Sequence, residues 1–206
     1  MKRFIDIVFS IFAIFVFSPL IIIVSVVIYA ESRSPVLFRQ ARIGVRGKPF
    51  VIYKFRTMRP RQDQGEDGVE GGERITPLGH YLRRSKLDEL PQLFNVLVGD
   101  MSLVGPRPEL ARYTQVWPAE DQNIVLSVRP GLTDFASIVF RNEGSLLAAA
   151  DDPDQYYRTV LVPKKLRLCR FYVRRATVWL DLWLIQQTLA ALLGLRSRVA
   201  RVRLRV

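Results

Sequence analysis

The sequence is poor in the two residue types that most often serve nucleophilic catalysis and transition-metal binding. Among its 206 residues it has one cysteine, Cys169, and one histidine, His80. A single cysteine cannot form a disulfide within the chain, and we expect a buried structural thiol. A single histidine argues against a His-rich metal site and against Ser-His hydrolytic machinery. Any chemistry must therefore use carboxylates, cations and a bound metal.

Acidic residues are also scarce, since 19 Asp and Glu stand against 31 Lys and Arg, giving a net charge of +12. Apolar residues nevertheless make up 49% of the chain. This combination favours a membrane surface or an anionic substrate over a freely soluble enzyme. A basic nucleic-acid-binding protein is an alternative from charge alone, but no recognised nucleic-acid motif is present. We therefore expect no nucleic-acid partner.

The longest apolar run, FIDIVFSIFAIFVFSPLIIIVSVVIYA, covers residues 4–30 and contains one charge, Asp6. About 20 apolar residues cross a bilayer as a helix, and the run is too long for a signal-peptide core. Ser18 and Pro19 lie in its middle. Proline removes a backbone hydrogen bond and kinks a helix, while a neighbouring serine hydroxyl can satisfy the freed carbonyl.

Both flanks of this run are basic. Lys2 and Arg3 precede it, and five cations follow it: Arg33, Arg39, Arg42, Arg46 and Lys48. The positive-inside rule then favours both ends on the cytoplasmic side. A re-entrant helix over residues 1–32, bent at Ser18 and Pro19, satisfies both flanks, and a spanning helix stays open as the alternative.

Two short strands are predicted after the membrane segment, over residues 36–39 and 50–55, joined by a glycine-rich turn. Lys54 and Arg56 alternate with aromatic residues, so the cations share one side of the second strand. Residues 59–75 are rich in glycine and charge, which predicts a loop that is either a lid or a linker.

A pair of acids follows the next predicted helix. Thr76 and Pro77 suit the N-cap and first position of that helix, which carries Arg83. Asp88 and Glu89 then precede an apolar helical run that Gly99 ends. One interpretation is structural, with Asp88 as an N-cap and Glu89 as a first-turn acid.

The other interpretation is chemical. Arg107, Arg129 and Arg141 lie downstream in short turns or beside Pro and Gly, where rigid arginines suit bidentate phosphate binding. Two carboxylates among such cations indicate a divalent metal with a phosphate substrate.

Three ordered segments make a resemblance specific: YKFRTM, LDELPQLFNVLVGDMSLVGPRP and VRPGLTDFASI. With the basic start and the mid-helix Ser18-Pro19, they resemble the bacterial sugar transferase family, the small monotopic phosphoglycosyl transferases. The resemblance is strong over residues 1–142 and looser beyond. It implies an α/β monotopic membrane protein with an N-terminal re-entrant helix, short strands and amphipathic interfacial helices.

The resemblance also implies a reaction. Such enzymes move a sugar 1-phosphate from a nucleoside diphosphate sugar, usually a UDP-sugar, to a polyprenyl (undecaprenyl) phosphate, and release UMP. They act at the cytoplasmic face of the bacterial inner membrane. Asp88 matches the family's nucleophile and Glu89 its Mg²⁺ ligand. We take the predicted substrate-binding cations to be Lys54, Arg56, Arg83, Arg107, Arg129 and Arg141.

The match to the family is imperfect. TDFASIVFR, residues 133–141, departs from the family's usual loop at Asp134, Ser137 and Phe140, and Lys86 replaces a common serine. The sugar and base therefore do not transfer from the family. A catalytically inactive membrane-anchored binding or scaffolding protein of the same fold is the alternative, and a homodimer stays open.

We expect a membrane helix over 1–32, a catalytic domain over 33–195 and a basic tail over 196–206. The helical C-terminal pattern contains Trp179 and Trp183 near arginines, which suits an interfacial helix or an ordinary core helix. The arginine-rich tail suits anionic lipids or a disordered end.

Overall fold

A computed structural model describes residues 1–59, 74–195 and 199. The chain there forms a mixed helix and strand structure. The elements in chain order are α1 (Lys2–Ser32), β1 (Leu37–Ile43), β2 (Pro49–Phe55), α2 (Pro77–Ser85), α3 (Gln92–Val98), β3 (Ser102–Val104), α4 (Ala111–Thr114), α5 (Ala119–Val125), β4 (Gly131–Thr133), α6 (Phe135–Val139), α7 (Glu143–Ala148), α8 (Pro153–Tyr156), α9 (Val162–Arg175) and α10 (Val178–Leu192).

The first helix, α1, is the one described helix that is long and apolar enough to cross a membrane. Pro19 lies inside it, and the Ser18 hydroxyl donates to the Phe15 carbonyl at 2.8 Å. That carbonyl is the one that proline leaves without its helical donor, so the predicted compensation by serine is confirmed. The long apolar helix is consistent with a membrane anchor, while the re-entrant path stays a prediction.

Both ends of α1 are attached to the rest of the protein. Near its start, the Arg3 guanidinium donates to the Val96 and Leu97 carbonyls at 2.5 and 2.7 Å. Near its end, Val24 and Ile28 are buried in an apolar cluster with residues of β2 and α2. Most apolar side chains between these ends are exposed.

The predicted hairpin is present, with β1 and β2 antiparallel and Phe38 opposite Lys54. The first strand is longer than predicted and ends at Ile43. The glycine-rich connection forms a 3₁₀ turn over Val45–Gly47. Residues 60–73 of the predicted loop lie outside the described residues. The chain segments on either side of them lie next to each other, because Met58 and Ile75 form an antiparallel bridge.

Helix α2 begins as predicted, because the Thr76 hydroxyl accepts from the Gly79 N–H at 3.0 Å and Pro77 follows. Helix α3 ends as predicted at Gly99, whose φ of 100° lies in the left-handed region that glycine tolerates. Phe94, which belongs to the apolar run before Gly99, is 48% exposed.

A second sheet, not predicted from the sequence, consists of β3 and β4. They are parallel, with Ser102 opposite Gly131 and Val104 opposite Thr133. The largest apolar core lies around this pair and includes buried residues of α5, α6, α9 and α10.

The C-terminal helical pattern divides into two helices at Thr177, which caps α10 by accepting from the Leu180 N–H. Trp179 is 82% exposed, whereas Trp183 packs against Phe135 in the core. Trp183 therefore lies in a core environment, while an interfacial position of Trp179 stays a prediction. The predicted tail over 196–206 lies outside the described residues, apart from Val199.

Candidate active site

The acidic pair occupies a 3₁₀ turn, Leu87–Glu89, between α2 and α3. Both acids are buried, each with 7% of its surface exposed. Lys86 precedes this turn and is the C-cap of α2. Its φ of 59° lies in the left-handed region. Neither acid accepts a capping bond from the helix that follows. The interpretation of Asp88 as an N-cap is therefore wrong, because the backbone is already helical at Asp88.

Glu89 is held by two cations from other elements. The Arg107 guanidinium contacts both carboxylate oxygens, with Nη1 3.0 Å from Oε2 and Nη2 2.5 Å from Oε1. The Lys54 amine lies 3.4 Å from Oε1. Burial alone would raise the pKa of Glu89, but Arg107 and Lys54 outweigh burial and hold it far below its ordinary value. The environment of Glu89 therefore strongly favours the ionised form of its carboxyl.

Asp88 has the opposite environment. Its Oδ1 atom is buried without a hydrogen-bond partner among the described residues. Burial, followed by the charge of Glu89, raises the pKa of Asp88 above its ordinary value, although Lys54, Lys86 and Arg107 oppose this. Adjacent carboxyls whose pKa values are driven apart are typical of sites that assign them different chemical roles.

Arg107 is placed by a close approach between the residue after β3 and the start of β4. A Cβ atom on Gly131 would lie 2.1 Å from the Gly105 backbone nitrogen, so the two backbones touch where no side chain fits. The parallel pairing of β3 with β4 creates this approach. The Arg107 N–H also faces the Asp134 carboxylate at 3.4 Å. A rigid loop therefore presents the guanidinium to Glu89.

Lys54 is placed by the hairpin and by Asn95 of α3. The Asn95 side chain, fully buried, donates to the Val51 carbonyl at 2.7 Å and accepts from the Tyr53 N–H at 3.1 Å. These bonds fix β2 against the helix that follows Glu89. Burial lowers the pKa of Lys54 despite the nearby Glu89 carboxylate.

A buried polar network behind the Arg107 loop was not predicted. Glu109 accepts from the Tyr157 hydroxyl at 2.6 Å and from the Lys165 amine at 2.9 Å. Burial would raise the pKa of Glu109, but Lys165 and Tyr157 keep it below its ordinary value. The sequence offered one signal, the acid directly after Gly-Pro-Arg-Pro, but gave no sign of its distant partners.

Other predicted cations lie against different partners. Arg56 donates to the Pro35 carbonyl, Arg83 to the Thr57 hydroxyl and Arg129 to the Gly99 carbonyl. Arg141 donates to the Ala191 carbonyl near the end of α10. The structure thus brings together Asp88, Glu89, Lys54 and Arg107. Substrate binding by the other four arginines stays a prediction.

The acids also bear on metal binding. Within residues 1–59 and 74–195, no group of three or more Asp, Glu, His or Cys side chains is arranged to hold a metal ion. Mg²⁺, however, usually takes one or two carboxylates and completes its shell with water and substrate phosphates. Among the residues that the structure describes, Glu89 Oε2 accepts a hydrogen bond only from Arg107, which leaves it a second lone pair. The site therefore fits Mg²⁺ bound together with a phosphate substrate.

Comparison with known proteins gives a consistent picture. Residues 1–194 match the family model described as Bacterial sugar transferase. The chain is 36% identical over 196 residues to UDP-N-acetylgalactosamine-undecaprenyl-phosphate N-acetylgalactosaminephosphotransferase of Aeromonas hydrophila, covering 93% of this chain and 43% of that protein. It is also 36% identical over 198 residues to UDP-glucose:undecaprenyl-phosphate glucose-1-phosphate transferase of Caulobacter vibrioides, covering 93% and 69%.

A third relative is UDP-glucose:undecaprenyl-phosphate glucose-1-phosphate transferase of Klebsiella pneumoniae. It is 34% identical over 189 residues, which are 89% of this chain and 38% of that protein. The chain therefore spans less than half the length of the relatives from Aeromonas and Klebsiella, and more than two thirds of the one from Caulobacter.

Proposed function

The chain belongs to the bacterial sugar transferase family, and on that premise we propose that it transfers a sugar 1-phosphate from a UDP-sugar to a polyprenyl phosphate, as the first membrane step of glycan assembly. One observation carries the proposal. Of two adjacent buried carboxyls, Glu89 is locked by Arg107 and Lys54, whereas Asp88 is without a bonded partner in the described structure. The site therefore offers one carboxylate whose orientation is fixed by cations and one carboxylate that is free to react.

In the first half-reaction, an Asp88 oxygen attacks the phosphorus that carries the sugar. The new P–O bond forms as the bond to the UMP oxygen breaks, and UMP leaves with that electron pair. The raised pKa makes Asp88 a more basic nucleophile than an ordinary aspartate. Arg107 and Lys54 lie beside it and offset the repulsion between a carboxylate and an anionic diphosphate.

In the second half-reaction, an oxygen of the polyprenyl phosphate attacks the same phosphorus. The bond to Asp88 breaks, its electron pair returns to the carboxylate, and polyprenyl diphosphate sugar is released. A covalent phosphosugar-aspartyl intermediate divides one transfer into two steps. UMP can therefore leave before the lipid substrate arrives.

We propose that Glu89 holds Mg²⁺ at this site. When bound with the diphosphate, the ion supplies positive charge to the phosphate oxygens. Glu89 suits this role because its carboxyl stays ionised at every physiological pH. Arg107 contributes by fixing the orientation of that carboxylate through two parallel hydrogen bonds.

The proposed location is the cytoplasmic face of the bacterial inner membrane, with α1 re-entrant. Its support is that α3 and the turn before it contact both ends of α1. Arg3 bonds to carbonyls of α3, and Leu90 packs with the cluster that contains Val24 and Ile28. A helix held by one surface at both ends suits a path that enters and leaves on one side.

The test is turnover by the purified full chain in detergent or nanodiscs. A panel of UDP-sugars with undecaprenyl phosphate and Mg²⁺ is scored for UMP release and for labelled lipid product. We expect one UDP-sugar to support both signals, and excess chelator to abolish them until Mg²⁺ is restored. A folded protein that binds a UDP-sugar but releases no UMP from any of them would support the inactive binding protein instead.

A further inference from the structure

The beginning of α1 packs into the folded domain and differs in this from the exposed apolar stretch that follows it. Asp6, the one charge of the run over residues 4–30, has 4% of its surface exposed, and Ser10, one helical turn later, has none. A buried charge in an apolar helix is costly unless it is paired. We therefore looked for the groups that this carboxylate bonds.

The partner of Asp6 is the strand that leads to Arg107. The Asp6 Oδ1 atom accepts from the Leu103 N–H and from the Ser102 hydroxyl, each at 3.1 Å. Both donors belong to β3, and Ser102 is 1% exposed. One carboxylate oxygen of α1 thus holds two donors of the strand, one of them from its backbone.

A second side chain of α1 bonds to the last residue of this strand. The Lys2 amine donates to the Val104 carbonyl at 2.9 Å and to the Asp181 carboxylate at 2.5 Å. Asp181 also accepts from the Tyr172 hydroxyl at 2.6 Å, so Lys2 links β3 to α10. Every residue of β3 is therefore bonded to the beginning of α1.

The strand β3 depends on such support because it is short. Backbone hydrogen bonds join it to β4, which is its one strand partner in the part of the chain that the structure describes. Two-stranded sheets are marginally stable by themselves. Arg107 follows shortly after β3 ends at Val104, so a shift of the strand would move the guanidinium that meets Glu89.

We propose that Asp6 is a positioning residue for phosphosugar transfer, which holds β3 in the place where Arg107 meets Glu89 and the diphosphate. This role rests on the proposed function. Asp6 acts through the strand and Arg107, and not by contact with the substrate. The beginning of the membrane helix thereby belongs to the scaffold of the active site.

The first experiment separates the position of the acceptor from its charge. Asp6→Asn loses the charge but keeps an oxygen at Oδ1, whereas Asp6→Glu keeps the charge and moves both oxygens by one methylene. With a UDP-sugar that supports wild-type UMP release, kcat should fall about tenfold to a hundredfold in Asp6→Glu, because a small displacement of an orienting group is enough for such a loss. Asp6→Asn should keep most of the wild-type kcat. Equal losses in the two variants, or the larger loss in Asp6→Asn, would overturn the proposal.

Ser10→Ala is the matched control. Ser10 is buried on the same helix, and its hydroxyl has no hydrogen-bond partner in the described structure, so kcat should stay at the wild-type value. Asp6→Leu removes the acceptor altogether and should lose at least as much activity as Asp6→Glu. If Asp6→Leu does not fold, the comparison of the Asn and Glu variants still decides.

A double variant tests whether Asp6 acts through Arg107. Asp6→Glu is combined with Arg107→Lys, and kcat is compared with that of each single variant and of wild type. If Asp6 serves to place the guanidinium, Asp6→Glu should add little to the loss caused by Arg107→Lys, because coupled sites are not additive. Losses that multiply, as for independent sites, would mean a general structural role and would contradict the proposal.

A last measurement needs no turnover. Amide hydrogen exchange over residues 102–107 is followed by mass spectrometry in the full chain in nanodiscs. Exchange should be about tenfold faster in Asp6→Glu, as expected for a weakened hydrogen bond to a charged group, and unchanged in Asp6→Asn and Ser10→Ala. If wild type releases no UMP, the proposed function fails, while exchange still shows whether Asp6 holds β3. Wild-type exchange over this segment in folded Asp6→Glu would overturn the inference.

Discussion

At the scale of single residues, Asp88 and Glu89 show how neighbours in sequence acquire different chemistry. The guanidinium of Arg107 offsets the burial of Glu89, so that acid is ionised at all relevant pH values. Asp88 is equally buried but lacks such a bond in the described structure, and ionising it costs free energy. The proposed nucleophile is thus the acid of the pair whose ionised form the fold stabilises less.

This difference predicts that Asp88→Asn abolishes UMP release and yet stabilises the fold. The raised pKa of Asp88 means that its favourable contribution to stability is complete below the unfolded-state pKa and is lost as the pH rises through the folded-state pKa. The neutral amide avoids that loss. Thermal unfolding in detergent should therefore show a higher Tm for the variant at pH 8, with the gap closing toward pH 3. An equal or lower Tm at pH 8 would contradict this.

Arg107→Lys tests the paired hydrogen bonds. Lysine keeps the charge but cannot make two parallel bonds to Glu89 or to a phosphate. We expect UMP release to fall by about 10²-fold, in line with loss of one donor at a reacting oxyanion, and the free energy of unfolding to fall by about 1–2 kcal/mol. Turnover assays and urea unfolding measure the two effects.

Arg141→Lys is the matched comparison, because Arg141 bonds to a helix carbonyl and is exposed. If both variants lose the same activity, the predicted role of Arg141 in substrate binding gains support. A silent Arg107→Lys would argue that Arg107 is only structural.

At the scale of elements, α3 connects the acidic pair to the hairpin. Asn95→Leu should remove both hydrogen bonds to β2, leaving the Tyr53 N–H and the Val51 carbonyl without partners. We expect a loss of about 2–4 kcal/mol in the free energy of unfolding, with lower turnover because Lys54 is no longer held against Glu89. Phe94→Leu, exposed on the same helix, should leave unfolding by urea unchanged. Equal stability of the two variants would refute the role of Asn95.

At the scale of the whole molecule, the proposed reaction joins a soluble nucleotide sugar to a lipid whose phosphate lies at the interface. A re-entrant α1 would fix the site at that interface, with both chain ends of the helix in the cytoplasm. Cysteine labelling in a Cys169→Ser background reads this directly. One cysteine is introduced at exposed Arg39 and another beside Met1, since Lys2 itself is bonded to Asp181 and Val104.

Impermeant reagent added outside intact cells should label neither position, and permeabilised cells should show both. Labelling of the N-terminal cysteine alone from outside would mean a spanning helix. Replacing Ser18 and Pro19 by alanine together tests what sets the path, because a regular helix should then favour straightening. If both ends stay inside, the basic flanks rather than the proline determine the topology.

The sequence by itself determined the local features of this protein. The apolar α1, the hairpin, the Thr76 cap and the Gly99 terminus follow from patterns within a few residues, where propensity and hydrogen bonding act along the chain. The acidic pair could also be found, because its motif is continuous.

Only the tertiary structure decided which cation meets which acid. Arg107 reaches Glu89 because two three-residue strands, too short for any periodic signal, align in parallel and bring Gly105 against Gly131. The partners of Glu109 come from residues 48 and 56 positions away. Arg129 and Arg141 have the same charge and similar turns in sequence, yet they bond to helix-end carbonyls. Long-range packing determines which acid or carbonyl each of these cations reaches, and residue type alone does not predict it.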